Sequence, residues 1–310
     1  MKRIPTFTSL AVFMFLVTAA GPTNAQASRS FVSSLGDDAN ACTRSAPCRT
    51  FAGAIAKTSA GGEINVIDSA SFGSVTITKS ITIANDGVGT AGVQVSSTDA
   101  ITISAGSSDI VVLRGLDIEG LGTGLSGIKV QSAGVVHVEN CTINNFTQIG
   151  IDFVPTSATI TTSQLHVSNS IIRDNKGAAS GGIRIKPGAN VAVIGMIENT
   201  QLKNNAFGLR VEDNSRVTAK NTTAAGNSFS GFIAVSAALL ATLNLDSCVA
   251  TGNGSGIKAD NPNAIVRFAS CTIAGNTIGL FSNGGGHLTT FTGSNNNADN
   301  SSPTDSIARQ

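Results

Sequence analysis

Two residues beyond a recurring glycine, the chain reads Lys129, Asp152, Arg184, Arg210, Ile233, Lys258 and Phe281. Two positions further on stand Lys186, Glu212 and Asp260. Lysine and arginine at a repeated spacing can hold carboxylates, arginine through two parallel hydrogen bonds. If the intervening chain is built of equivalent turns, these side chains fall on one face. That face has the chemistry to take an acidic polysaccharide. Lys129, Arg184 and Arg210 would neutralise its carboxylates, and Asp152, Lys186, Glu212 and Lys258 would complete the binding surface. β-Elimination or epimerisation of a uronate needs that neutralisation, from a cationic side chain or from a metal ion such as calcium, and a base for the C5 proton. A lysine or arginine of depressed pKa would serve as the base. The plain alternative is that alternating Lys, Asp, Arg and Glu pair with one another on a solvated sheet face.

A second chemical feature is a histidine pair. His137 and His166 each precede a recurring asparagine, Asn140 or Asn169, by three residues. They are expected to stack outward on adjacent turns beside Glu139, where they could act as a general base or a weak metal site. The same register continues as Met196, Thr218, Asn244 and Arg267, with no evident third ligand, and a chance surface pair is the simpler reading. His287, near the C-terminal end, is expected at the surface.

A repeat must position these residues. Its glycines are Gly127, Gly150, Gly182, Gly208, Gly231, Gly256 and Gly279, at steps of 23, 32, 26, 23, 25 and 23 residues. A second anchor runs Asn140, Asn169, Asn199, Asn221, Ser247 and Ser270, and a third follows six residues later at Asn175, Asn205, Asn227, Asn253 and Asn276. Repeats of this length, made of short strands, signal a β-solenoid whose coils pair in parallel about 4.8 Å apart. A corner asparagine can pass amide hydrogen bonds between coils and also tolerate left-handed backbone. The glycines are expected at the other corners, where a Cβ would clash. Between corners, Val136-His137-Val138-Glu139 and Leu165-His166-Val167-Ser168 alternate with period two, one side chain in and the next out. The long step after Gly150 and the coil from Gly182 to Asn199 carry insertions that project from a corner. Two-residue hairpin signals such as Asn283-Gly284 are few, which disfavours a sandwich or propeller.

Upstream of the clear coils, Phe51, Ala54, Ile55 and Thr58 share one face of a short helix that is expected to stop at Gly61-Gly62. Such a helix covers the open edge and bare core of a first coil. Cys42 and Cys48 lie in one short polar loop, and a disulfide between them is worth roughly 2 kcal/mol on the chain-entropy model. Cys141, Cys248 and Cys271 share one repeat position with Ser170, Thr200 and Thr222, and read as a ladder of small buried side chains. A Cys248–Cys271 bond is the alternative.

The set Gly36-Asp37-Asp38-Ala39-Asn40, Pro47, Thr50-Phe51, Ala54-Ile55 and Gly62-Glu63-Ile64 resembles the opening motif of pectate-lyase-like proteins. The repeats from Gly127 to Asn276 are similar to their coils. The resemblance implies an all-β fold, a right-handed parallel β-helix with a short N-terminal capping helix. It departs at Cys42 and Cys48, where such motifs more often carry glycine and an aromatic residue. That superfamily includes polysaccharide lyases, hydrolases and epimerases as well as adhesive surface proteins, so fold alone does not choose an activity. Arg184-Ile185-Lys186 matches a motif of polygalacturonases, but no Asn-Thr-Asp or Gly-His-Gly accompanies it, and Asp37-Asp38 lies far upstream. The paired carboxylates of glycoside hydrolysis are not in place. An enzyme of this kind would therefore be a lyase or epimerase. A non-catalytic extracellular or cell-surface scaffold is the other reading, and the absence of Trp and Tyr, the usual platforms for sugar rings, favours it.

The chain of 310 residues divides into a leader (1–27), a cap (28–62), the β-helix (63–292) and a polar tail (293–310). Lys2 and Arg3, the apolar run Leu10 to Val17 and Ala25-Gln26-Ala27 read as a secretory signal, too short to span a membrane. The product is expected to be secreted, periplasmic or held at the cell surface. Removing Lys2 and Arg3 takes 20 basic residues to 18 against 19 acidic ones. A near-neutral chain is not a non-specific nucleic-acid binder.

Overall fold

The computed structural model describes residues 26–156, 161–177, 180–236, 238–291, 295–299 and 301–307. The expected leader lies outside them except for Gln26 and Ala27. The described residues form three parallel sheets wound as a right-handed β-solenoid. Sheet A has 12 strands, from Ala27–Val32 to Asp305–Ile307; sheet B has 10, from Ala70–Ser71 to Asn296–Asn297; sheet C has 9, from Val75–Ile77 to Ile278–Asn283. One coil visits the three in turn, as in Val135–Glu139 (A), Thr142–Asn144 (B) and Ile149–Phe153 (C), before returning to sheet A at Thr162–Ser168. Strand pairing therefore extends beyond residues 63–292 at both ends.

The core lies inside the coil. Inward positions such as Val136 and Val138 are fully buried, while His137 and Glu139 between them are half-buried on the outer face. Phe146, Phe153 and Phe232 are among the largest fully buried side chains. The alternation in the sequence thus becomes an apolar interior and a polar surface.

The corners divide labour that the sequence suggested was shared. Asn140, Asn169, Asn199, Asn221, Ser247 and Ser270 turn sheet A into sheet B with φ between 48° and 56°. These residues take the left-handed backbone. The amide ladder belongs instead to the third anchor. Asn175 Nδ2 donates to Asn205 Oδ1 at 2.9 Å, Asn205 to Asn227 at 3.3 Å, Asn227 to Asn253 at 2.9 Å and Asn253 to Asn276 at 2.8 Å. Asn276 ends the run on Asp299 Oδ2 at 2.8 Å. Each of these asparagines is buried, so the ladder satisfies polar groups that water does not reach.

The repeat glycines do not turn corners. None of the repeat glycines from Gly127 to Gly279 has positive φ; they lie at the start of the sheet C strands, and those from Gly150 to Gly256 pack against the amide ladder. A Cβ on Gly231 would lie 2.7 Å from the carbonyl oxygen of Gly256 and 2.9 Å from Asn253 Nδ2. Close approach between coils, not backbone conformation, selects glycine there.

The cap helix runs from Phe51 to Lys57 and ends earlier than expected. Thr58 turns extended, and its hydroxyl donates to Ala54 O at 2.8 Å; Gly61 and Gly62 belong to the following strand, Thr58–Val66. At the other end, Thr50 Oγ1 accepts from the Gly53 amide at 2.9 Å. Asp38 Oδ1 accepts from the amides of Arg49 and Thr50, at 2.8 and 2.9 Å. Burial works against ionising Asp38, but the hydrogen bonds from Thr50 and Arg49 prevail and hold its carboxyl below the ordinary value. The Cys42–Cys48 disulfide closes the same loop. Cys141, Cys248 and Cys271 are free and buried, as the ladder reading expects.

Candidate functional site

Sheet C brings the predicted face together in register. Lys129 pairs with Asp152, Asp152 with Arg184, Arg184 with Arg210, Arg210 with Ile233, Ile233 with Lys258 and Lys258 with Phe281. Lys186 and Glu212 follow just past the ends of Gly181–Ile185 and Phe207–Val211. All seven predicted side chains therefore lie along one face of the solenoid.

The charges on this face are paired. Arg184 grips Asp152 with two prongs, Nε to Oδ1 at 2.8 Å and Nη2 to Oδ2 at 2.9 Å. Glu212 receives Arg210 Nε at 2.8 Å and Lys186 Nζ at 3.3 Å. Lys258 meets Asp260 at 2.9 Å, and Lys129 meets Asp99 at 3.4 Å. In the arginine pairs the carboxylates are the deeper members: the side chains of Asp152 and Glu212 are 4% and 11% exposed, against 30% and 31% for Arg184 and Arg210, whereas Lys258 is buried more deeply than Asp260. Outer guanidinium edges therefore face solvent above buried counter-ions. The hydrogen bonds from Arg184 to Asp152 raise the Arg184 pKa despite partial burial, so this arginine stays protonated and is no base.

Aromatic residues complete the C-terminal half of the face. Lys258 Nζ lies 4.6 Å from the ring centre of Phe229 and 5.1 Å from that of Phe281, within cation–π range. Arg210 lies 5.9 Å from the ring centre of Phe207. Phe229 is half exposed, whereas the outward Ile233 is buried. Asp99 and Phe229 were not singled out in the sequence. Asp99 reaches Lys129 from a corner of an earlier coil, and Phe229 stands two residues before a repeat glycine, outside the strand register.

The two insertions adjoin one another at the exit from sheet C. Gly188 N–H donates to Pro155 O at 2.9 Å, and Thr156 N–H to Gln131 O at 3.1 Å. At the N-terminal end of sheet C, a pocket of about 400 Å³ is lined by Ala52 and Ile55 of the cap helix with Thr76, Asp99 and Thr102. It borders the face through Asp99, the partner of Lys129.

The donor set fits calcium poorly. Calcium takes six to eight oxygen ligands. Asp99, Asp152, Glu212 and Asp260 each already hold a lysine or arginine, and among the described residues no three His, Cys, Asp or Glu side chains converge as a metal site. On sheet A, His137 and His166 stack as expected, with ring centres 4.8 Å apart and planes 14° from parallel. His287 lies at the surface near Asp305, at 3.5 Å.

Fold and face together define a parallel β-helix protein. Residues 54–238 and 161–307 match the family described as "Right handed beta helix region", and the chain belongs to it. No curated protein matches the chain. Among solved structures it is similar to the pectate lyase Pel9A, at 15% identity and a TM-score of 0.56, covering 91% of this chain and 78% of that one. It is also similar to a GH136 lacto-N-biosidase from Eubacterium ramulus, at 12% identity and a TM-score of 0.48, covering 85% of this chain and 55% of that one. At 15% identity the likeness to the pectate lyase is one of fold. Among the described residues, no helix is long and apolar enough to cross a membrane.

Proposed function

We propose that the chain is an exported β-helix protein that binds an acidic polysaccharide along the outer face of sheet C. The observation that carries this reading is the in-register run of Lys129, Arg184, Arg210 and Lys258, in which the partly exposed Arg184 and Arg210 are seated on buried carboxylates. Arg184, Arg210 and Lys129 would contact glycan carboxylates. Asp152, Glu212, Lys186 and Lys258 would hold them in place. Preorganised arginines lose little freedom on binding, which favours a planar carboxylate as the partner. The exposed Phe229 offers the apolar patch that Trp or Tyr would otherwise supply to a sugar ring.

Export is supported by the leader-like segment over residues 1–27 and by the Cys42–Cys48 disulfide, which persists in oxidising compartments. The fold shared with a pectate lyase is consistent with a uronate ligand. Arg184, held protonated by Asp152, does not supply the base that C5 proton removal requires. The self-pairing of the face favours, as a second reading, a non-catalytic scaffold at the cell surface. Incubating the protein with a panel of uronate polysaccharides separates the readings. Binding without a rise in ultraviolet absorbance supports a binder. A rise from unsaturated product makes it a lyase. Neither signal leaves the scaffold. Epimerisation, which makes no chromophore, is checked by the sugar composition of the recovered glycan.

A further inference from the structure

Sheet A carries a second outward column, separate from the sheet C face. In register it reads Val112, His137, His166, Met196 and Thr218. His137, His166 and Met196 are all half-buried on the outer surface. The two imidazoles are stacked with ring centres 4.8 Å apart. His137 Nδ1 lies 4.0 Å from Glu139 Oε1, and His166 Nε2 lies 3.5 Å from Gln164 Oε1. Two nitrogen donors and one thioether sulfur thus follow one another on three successive coils.

The spacing suits a single ion held over the middle residue. Neighbouring strands lie about 4.8 Å apart, so His137 and Met196 each sit one coil from His166. A histidine turns about two side-chain bonds, and methionine about three, so both neighbours can lean toward an ion above His166. Glu139 is placed to orient His137 as an outer partner.

The donor types choose the metal. Zinc is bound by imidazole, thiolate and carboxylate, and no three His, Cys, Asp or Glu side chains converge among the described residues. A thioether beside imidazoles is a soft set and selects Cu(I). We propose that His137, His166 and Met196 form a surface site for one copper ion, bound as Cu(I).

The test is competition for Cu(I) against the colorimetric chelator bicinchoninate, using the full chain with ascorbate as reductant. Ascorbate spares the disulfide. The expected result is withdrawal of one equivalent of copper by the native chain, its loss in His166→Ala, and at least tenfold weaker binding in His137→Ala and in Met196→Leu. All three substitutions lie on the outer face, and circular dichroism checks that the fold is kept. His166→Ala retains Cys141, Cys248 and Cys271, so undiminished copper in that variant would place the metal on thiols and overturn the proposal. An unchanged affinity in Met196→Leu would also overturn it, because the thioether is what distinguishes this site from an ordinary histidine pair. Failure of the native chain to take copper from the chelator would do the same.

Discussion

Arg184 and Asp152 face each other across adjacent coils of sheet C, joined by two hydrogen bonds of 2.8 and 2.9 Å, with the carboxylate almost wholly buried beneath the guanidinium. The arginine is both a solvent-facing cation and the counter-ion of a buried charge. Removing it leaves Asp152 uncompensated. Arg184→Met is therefore expected to lower stability by roughly 2–4 kcal/mol. Arg184→Met with Asp152→Asn is expected to recover most of that loss. Urea unfolding of the native chain and both variants gives the three values; equal losses in the single and double variants would mean that the pair is solvated and contributes little.

The amide ladder should dominate cohesion between coils. Asn227 Oδ1 accepts from Asn205 N–H and Nδ2, while its own Nδ2 donates to Leu202 O and Asn253 Oδ1. Asn227→Ala removes all four hydrogen bonds from a buried corner; Asn205 Nδ2 keeps Ile172 O and Asn253 Oδ1 keeps the backbone N–H of residue 227, but the Asn205 N–H loses its acceptor, and roughly 2–4 kcal/mol of destabilisation is expected. Asn221→Ala should cost less, because Asn221 is exposed and its role is the left-handed turn at φ 48°. Thermal unfolding of the two variants side by side checks the order; a larger loss at Asn221 would contradict the division of labour.

The cap should respond to acid. The folded-state pKa of Asp38 lies below its ordinary value, held down, against the effect of burial, by hydrogen bonds from Thr50 and Arg49. A depressed folded value contributes stability that is fully present above the unfolded carboxylate value, about 3.9, and is lost as pH falls through the folded value. Asp109, held down by Ser80, acts in the same direction. Melting temperatures measured from pH 6 to pH 2.5 should fall on the acid side. Asp38→Asn should melt lower at pH 6 and change less with acid; an unchanged acid response would remove Asp38 from the account.

Thiol chemistry separates the two kinds of cysteine. Burial pushes the Cys141 thiol up to about 11, and Cys248 and Cys271 are buried in the same ladder. A thiol-reactive disulfide reagent at pH 8 should label none of the three in the folded chain and all three in denaturant. Reducing Cys42–Cys48 should lower stability by roughly 2 kcal/mol, through the cap. Labelling of Cys248 or Cys271 in the native chain would show that the last coils open more readily than the ladder implies.

What the sequence made legible was whatever recurs. The glycine spacing set the coil, and outward residues counted from it, Lys129 to Lys258, fell into register in sheet C. Two asparagine anchors were visible, but spacing does not tell which of two corner side chains points inward, so the left-handed turn at Asn140 and the amide ladder at Asn175 were not separated. The repeat glycines were misplaced at corners because glycine serves both positive φ and close approach. Only the Gly256 carbonyl against Gly231 shows which applies. Asp99 and Phe229 were illegible because they reach the face from corners, where the period of two does not hold. The short helix was legible from its apolar face, but not its end, since Thr58 stops it before the glycines do.

The most direct test of the sheet C account is affinity electrophoresis through gels containing polygalacturonate or a neutral glucan. The native chain should be retarded by the uronate gel alone, and less so as salt rises. The variant Lys129→Ala with Arg210→Ala should lose that retardation while remaining folded. Equal mobility in both gels, or retardation unaffected by the two substitutions, would contradict the claim that this face holds an acidic glycan.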